Sequence, residues 1–480
     1  MNRPPILVPL LSSVLLAACA VGPDYKPPET EAAQRFDHLE PGAFSEEAAV
    51  AQFWTLFEDG TLARLVDDAL AANHDLRIAL NRVAEARALR GETRLDLAPT
   101  VTAGGGYSDQ RLAEAQRTPG VPRDQELYDA GFDAFWELDF FGRIRRAVEA
   151  SNAELDAAEA SLRDAQVIVT AEVTRTYFEL RGQQQQLDVA RRNVENQRET
   201  LELTNLRLEA GRGTELDTSR AQAQLSGTLA TIAPLEAAVA RSIHRLGVLT
   251  GREPGALRGT LAPSKDLPVI PRMAAVGDPA GLLRRRPDIR VAERQLAAAT
   301  ARIGVAVADL FPRVTFTGAA GYVADAFDGL GDGGSDTYFI APGISWAALD
   351  LGRVRAQIAG ARARNEGALL RYEQTVLRAL EETENALVTH ARTRQRLTHA
   401  EDAARASSRA AGLARLRFEG GTSDFLQVLD AERTQLEAED RLAQTRTEAA
   451  TSLIAVYKSL GGGWENAPMP RQSAVAGVPP

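Results

Sequence analysis

Few residues of this chain could carry chemistry, and their spacing fits none of the common reactions. Cys19 is the only cysteine in 480 residues, so the chain can form neither an internal disulfide nor a cysteine-based metal site. His38, His74, His244, His390 and His399 are scattered, and none belongs to a His-Glu-x-x-His pattern that would present two imidazoles to zinc from one helical face. No serine occupies a G-x-S-x-G turn, which exposes a nucleophile. Gly104-Gly105-Gly106 lacks the Lys-Ser/Thr that completes a phosphate loop. The stretch from Asp325 to Asp336 mixes Asp and Gly as calcium loops do, but the EF-hand spacing and closing Glu are missing, and a flexible loop is expected. The chain reads as a non-enzyme with no metal and no cofactor.

Cys19 has a different chemistry open to it. Arg3 precedes a mostly apolar run from Ile6 to Ala18, the layout of a secretory leader covering residues 1–18. Leu16-Ala17-Ala18-Cys19 resembles a bacterial lipobox, where cleavage before the cysteine is coupled to covalent lipid on its sulfur. Ala20, in place of Asp, implies by the same resemblance delivery to the outer membrane. The run is too short to span a bilayer, which needs about 20 apolar residues. After Cys19 no stretch of 18 apolar residues occurs, so any crossing must be made by strands.

Composition narrows the elements that hold these residues. Aromatic residues are 6%, lysine occurs three times, and Ala, Leu, Arg and Glu dominate, which favours long helices and coiled coil. The net charge of −10 is spread along the chain and leaves no basic footprint for nucleic acid. The chain is also internally duplicated. Asp75-Leu-Arg-Ile-Ala79 matches Asp288-Ile-Arg-Val-Ala292, and Leu97-Ala-Pro-Thr-Val101 matches Leu310-Phe-Pro-Arg-Val314, both 213 residues on. Trp136, Gly142-Arg143-Ile144-Arg145, Arg207, Glu209, Gly211 and Ala221 recur 210 residues later at Trp346, Gly352-Arg353-Val354-Arg355, Arg417, Glu419, Gly421 and Ala431. Two halves, 61–250 and 278–460, are joined by a Pro/Gly-rich link at 251–277, with 19–60 before them and a flexible tail expected at 461–480.

Each half follows one plan. A helical pattern (61–97, 278–311) runs to a proline, Pro99 or Pro312. Two stretches of strand alternation follow. Phe132, Ala134, Trp136, Leu138 and Phe140 share one face, opposite Asp133, Phe135, Glu137 and Asp139. Val314, Phe316, Gly318, Ala320 and Tyr322 mark another strand, and Tyr338, Ile340, Ile344 and Trp346 the last, where Pro342 predicts a bulge. Long helices over 143–210 and 353–419 come next. The first carries heptad rows Leu155, Leu162, Val169 and Leu187, Val194, Leu201, Leu208, which imply supercoiled packing. Each long helix stops at glycine, and a return helix of about half its length follows, kinked at Pro234 in the first half. The first helix of each half is expected to stack end to end on a return helix.

Four strands cannot close a barrel, and an open sheet edge in lipid leaves polar groups unsatisfied at several kcal/mol each. If these strands enter the membrane, several chains must share one barrel.

Three stretches carry a family resemblance. Cys19-Ala-Val-Gly-Pro-Asp-Tyr25 resembles the amino-terminal signature of NodT/OprM-type outer-membrane efflux lipoproteins, relatives of TolC. Arg285-Arg-Pro-Asp-Ile-Arg-Val-Ala-Glu293, with Ile303-Gly304 and Leu310-Phe-Pro312, resembles their most recognisable internal block. The turns at Arg207/Gly211/Asp217/Ala221 and Arg417/Gly421/Ala431 resemble their helical hairpin tips. The resemblance spans about residues 19–462. It implies a mixed α/β membrane protein: a homotrimer with a 12-stranded outer-membrane β-barrel, four strands per chain, on a long periplasmic α-helical barrel. The partners implied are a periplasmic adaptor (membrane fusion protein), an inner-membrane RND pump and outer-membrane lipid. The function implied is small-molecule efflux, with protein secretion alongside an ATP-driven pump as the alternative. Gly211, Gly213, Thr214, Gly421 and Thr422 fall at the implied adaptor contact. Asp430, Asp424 and Asp217 fall at an implied periplasmic gate, where Gln427, Phe418 and Ser423 depart from the TolC pattern. Within the internal block, Pro287 and Asp288 suit the start of a helix and are read as structural.

Overall fold

The computed structural model describes residues 20–29, 35–40, 42–47, 50–116, 119–465, 467, 469 and 470. The leader, Cys19 and residues 471–480 lie outside them. In chain order the main elements are β1 (Phe44–Ser45), α1 (Gly60–Ala72), α2 (His74–Leu95), β2 (Thr100–Arg111), β3 (Asp124–Leu138), α3 (Arg143–Glu209), α4 (Glu215–Leu249), β4 (Ala274–Ala275), α5 (Pro279–Arg285), α6 (Pro287–Ala308), β5 (Arg313–Ala324), β6 (Asp336–Ser345), α7 (Leu351–Glu419) and α8 (Phe425–Ser459). Two compact units result, and each takes segments from both sequence halves: 1–29, 82–159 and 291–374 form one, and 30–81, 160–290 and 375–480 the other.

The expected helices over 61–97 and 278–311 are each broken in two, at Asn73 and at Arg286. These positions correspond in the duplication. The Asn73 carboxamide oxygen accepts from the backbone N–H groups of Asp75 and Leu76, which starts a new helix there. Arg286 precedes Pro287, and a residue before proline is driven out of helical geometry. α6 then begins at Pro287 with Asp288 in its first turn, as expected. Both breaks sit against the end of a return helix. The Asn73 amide donates to Leu249 O at 2.9 Å, and the Arg286 guanidinium donates to Ser459 O at 2.6 Å. The expected end-to-end stacking is therefore made through a capped joint in each half.

The strand unit holds an antiparallel sheet in the order β2-β3-β5-β6, with strands of 12, 15, 12 and 10 residues. Pro342 makes no bulge. It pairs with Phe316 in a register that runs unbroken from Arg313↔Ser345 to Tyr322↔Asp336. β6 is an edge strand, where a proline can turn its donorless nitrogen to the open side. Trp136 and Trp346 donate their indole N–H groups to Leu97 O (3.1 Å) and Leu310 O (2.9 Å), so the duplicated tryptophans tie the strands to the chain that enters them.

The second unit contains the main core. α3 has 67 residues and α7 has 69, so each is about 100 Å long. The heptad stripe on α3 is buried at Leu162, Val169, Leu187 and Val194, and reaches solvent at Leu208. α4 runs through Pro234 as one element. The segment before α1 inserts Phe53, Trp54 and Phe57 into the core, where Phe53 stacks on Tyr457 at 5.2 Å. β1 pairs in parallel with β4, joining the segment before α1 to the link at 251–277. Residues 461–465 are docked and do not form a tail: Glu465 pairs with Arg285, and the Arg163 guanidinium lies over the Trp464 ring. Among the described residues no helix is long and apolar enough to cross a membrane.

Candidate functional site

The two hairpin turns form alike. Gly211 (φ +65°) and Gly421 (φ +72°) adopt the left-handed conformation that only glycine takes freely. Arg212 N–H returns to Arg207 O and Thr422 N–H to Arg417 O, both at the six-residue spacing that closes a helix end. A side chain at Gly213 would press on the Leu208 backbone at 3.0 Å. The turns meet: the Arg207 guanidinium lies 3.9 Å above the Phe418 ring and also donates to Phe418 O. Phe418, Phe425, Val428 and Ala221 form a small core beneath them. Gly211, Gly213, Thr214, Gly421 and Thr422 are thereby gathered at one end of the helical unit.

The acids beside the turns have local work. Thr214 and Asp217 form a reciprocal capping box at the start of α4, and the Asp424 carboxylate accepts Gln427 N–H to cap α8. Gln427 also accepts from the Ser423 hydroxyl at 2.7 Å. Asp430 is exposed and pairs with Arg433 on its own helix at 2.8 Å. Sequence reasoning missed one acid nearby. Glu432 is buried between the Thr200 hydroxyl (2.9 Å) and the Arg415 guanidinium (2.8 Å), a placement set by residues on α3 and α7.

The segment that follows Cys19 is clipped to the strand unit. Val21 N–H donates to Phe141 O at 3.1 Å, just past the end of β3. The Arg146 side chain, only 6% exposed, donates to Val21 O, Gly22 O and the Asp24 carboxylate and also pairs with Glu149. Gly22 (φ +94°) lies so close to Gly304 that a Cβ would stand 2.5 Å from the Gly304 Cα, and a Cβ on Gly304 would strike Arg146. Tyr25 donates to Glu293 at 3.1 Å under the Arg294 guanidinium, and burial with the Glu293 charge holds its phenol above the usual range. The two motifs singled out in the sequence, the segment after Cys19 and the 285–304 block, meet here as parts of one clip.

The sheet has two unlike faces. Cross-strand rows such as Ala103–Phe132–Ala320–Tyr338 and Val101–Ala134–Gly318–Ile340 build one almost wholly apolar face. The alternate rows, such as Thr102–Asp133–Ala319–Phe339 and Thr100–Phe135–Thr317–Ala341, are richer in small and polar residues. The outer strands β2 and β6 each pair on one side only. Among the described residues no group of His, Cys, Asp and Glu is placed to hold a metal.

Comparison with known proteins agrees with this geometry. A family profile described as outer membrane efflux protein matches residues 65–252 and 279–462, one match for each half. A solvent efflux pump outer membrane protein, SrpC of Pseudomonas putida, is 30% identical over 468 residues, covering 95% of this chain and 98% of its own. Nodulation protein T of Rhizobium leguminosarum bv. viciae is 31% identical over 462 residues, covering 94% of this chain and 92% of its own. The solved outer-membrane channel OprN superposes with a TM-score of 0.86 at 44% identity, over 93% of this chain and all of that one.

Proposed function

This chain belongs to the outer membrane efflux protein family, and we propose that it assembles as a homotrimer through which small molecules leave the cell envelope. It is an outer-membrane efflux channel with a TolC-like fold, and it is not an enzyme. The half-paired outer strands are the observation that carries the trimer. One chain leaves the β2 and β6 edges open beside an apolar face. Open edges in hydrocarbon cost several kcal/mol per unsatisfied group, so the sheet must close on copies of itself. Three copies give twelve strands, enough to enclose a lumen, whereas two give eight and an interior filled by side chains.

Cys19 carries the lipid in this reading, and the clip on Val21 and Gly22 brings the acyl chains to the membrane beside the foot of the barrel wall. The gathered turns receive a periplasmic adaptor at Gly211, Gly213, Thr214, Gly421 and Thr422. An inner-membrane RND pump supplies cargo and energy. Asp430, with Asp217 and Asp424, forms the acidic mouth at this end. The names of relatives, including solvent and toluene efflux pump components, support small-molecule cargo.

Native mass spectrometry in detergent tests the assembly. The expected particle has close to three chain masses, each 51.7 kDa before processing. A folded monomer would overturn the reading.

A further inference from the structure

We propose that the inner wall of the strand region holds a contact site for cations with an aromatic or apolar body, in which Asp133 supplies the counter-charge and Phe135 and Phe339 supply the rings. The site rests on the duct reading, because only a closed barrel turns this face into a lumen. The apolar face must meet lipid, so the alternate face, with Asp133, Phe135 and Phe339, faces the passage.

The register groups these three side chains. Asp133 shares a row with Ala319 and Phe339, while Phe135 shares the next row on that face with Thr317 and Ala341. Phe135 is two residues along from Asp133, roughly 7 Å, and Phe339 is two strands across, roughly 10 Å. Between them the wall is floored by Ala319, Thr317 and Ala341, which are too short to cover either ring. In the single chain both rings are 50% exposed, and among the described residues neither stacks on another aromatic. Large apolar side chains on a water-facing wall gain nothing from packing there, which points to a passing solute as their partner.

Charge decides which solute. Two other charged residues on this face are already paired: Glu137 with Arg143 and Arg313 with Asp309. Asp133, and Asp129 four residues before it on the same face, make no ion pair among the described residues and are exposed. The wall is therefore negative where the rings stand. An ammonium group gains from the carboxylate and from the ring faces, while its apolar body covers exposed phenyl surface. An organic anion meets only repulsion.

The test is block of potassium current through the purified protein in planar bilayers. Benzyltrimethylammonium, which has both charge and ring, should block at lower concentration than tetramethylammonium, and benzoate should not block. Asp133→Asn should weaken the benzyltrimethylammonium block by about fivefold; Phe339→Ala should weaken it as well, and Phe135→Ala with Phe339→Ala should bring it down to the tetramethylammonium level. Phe132→Leu, on the lipid face, should leave block unchanged. Each variant is first shown to keep the wild-type oligomer mass. Unchanged block in both Asp133→Asn and Phe339→Ala conducting pores overturns the site and leaves the duct standing. A wild-type protein that runs as a folded monomer overturns both.

Discussion

The two joints where a short helix is capped against a return helix occupy equivalent places in the duplication, yet they are built from different chemistry. In the first half the joint is neutral: Asn73 bonds to Leu249 O with its amide and caps α2 with its oxygen. In the second half the joint is charged: Arg286 bonds to Ser459 O and reaches Asp288 and Glu382, at 2.7 and 2.9 Å. Glycines with positive φ let the backbone pass both joints, Gly251 over Ala72 and Gly461 over Arg286. The geometry has been kept while the side chains have drifted apart. The lesson is that the duplication preserves where helix ends must meet, and leaves open how their orphan carbonyls are satisfied.

The charged joint should be the more fragile. Arg286 is 8% exposed, and its removal takes one donor each from Asp288, Glu382 and the Ser459 carbonyl. Arg286→Ala should cost about 3 kcal/mol, because the buried guanidinium gives up its hydrogen bonds to Ser459 O and to two partly exposed carboxylates. Thermal unfolding of the assembled protein checks this, and a loss below that of Asn73→Ala would break the contrast.

The charged joint should also respond to pH. Asp164 lines a cavity of about 200 Å³ with Arg286, Asp288, Glu382 and Lys458. Burial, then the Asp288 charge, push its carboxyl up to about 6 from 3.8, against the opposing pull of Arg286 and Lys458. The folded state thus holds this proton more tightly than the unfolded chain, and stability is lost as pH rises from about 4 to about 6. His390 works the other way. Buried against Phe44 and bonded to the Ser452 hydroxyl at 3.0 Å, it is pushed down to about 4 from 6.5 by burial and then by Arg394. Its stability contribution is present above pH 6.5 and is lost as pH falls toward 4. The two slopes oppose each other over nearly one window. Asp164→Asn should remove one of them, so that the variant gains about 3 kcal/mol over wild type at pH 7 and the gain vanishes near pH 4. Equal pH profiles for wild type and variant would remove Asp164 from this account.

The neutral joint should break more gently. Asn73→Ala removes a cap and one buried side-chain hydrogen bond, a loss of about 2 kcal/mol. Asn73→Ser keeps a cap for α2 and loses the donor to Leu249 O without adding charge, so chemical denaturation should place it between wild type and alanine.

Local chemistry was legible in the sequence, and long-range pairing was not. Glycines at the turns, strand alternation and long proline-poor helices all act within a few residues, so Gly211, Phe132 and Leu162 announced their roles. Asn73 carried a cap signal too, but the apolar pattern on either side of it hid the break. The clip could be read only as resemblance, because its geometry joins Asp24 to Arg146 and Gly22 to Gly304 across more than a hundred residues. The row Asp133–Ala319–Phe339 is hidden for the same reason: each strand reveals its own faces, and only the register shows which residues share a row.

The two tips repeat the contrast between the halves on a smaller scale, and they give the smallest expected effect. Thr214 and Asp217 cap α4 reciprocally, whereas Asp424 caps α8 alone through Gln427 N–H at 3.1 Å. Asp424→Ala should therefore cost about 1 kcal/mol, while Asp424→Asn should cost almost nothing, because asparagine caps as well as aspartate. The same pair separates the cap from the proposed gate. Asparagine removes the charge and keeps the helix start, so a change in ion selectivity in Asp424→Asn channels reports the charge alone. If Asp424 belongs to the acidic mouth, the asparagine variant should lose cation preference in planar bilayers with its unfolding temperature unchanged. If selectivity stays at the wild-type value in both variants and only the alanine variant is less stable, Asp424 is a helix cap and no part of the gate. The proposed gate then rests on Asp217 and on Asp430, which is exposed and pairs with Arg433 on its own helix.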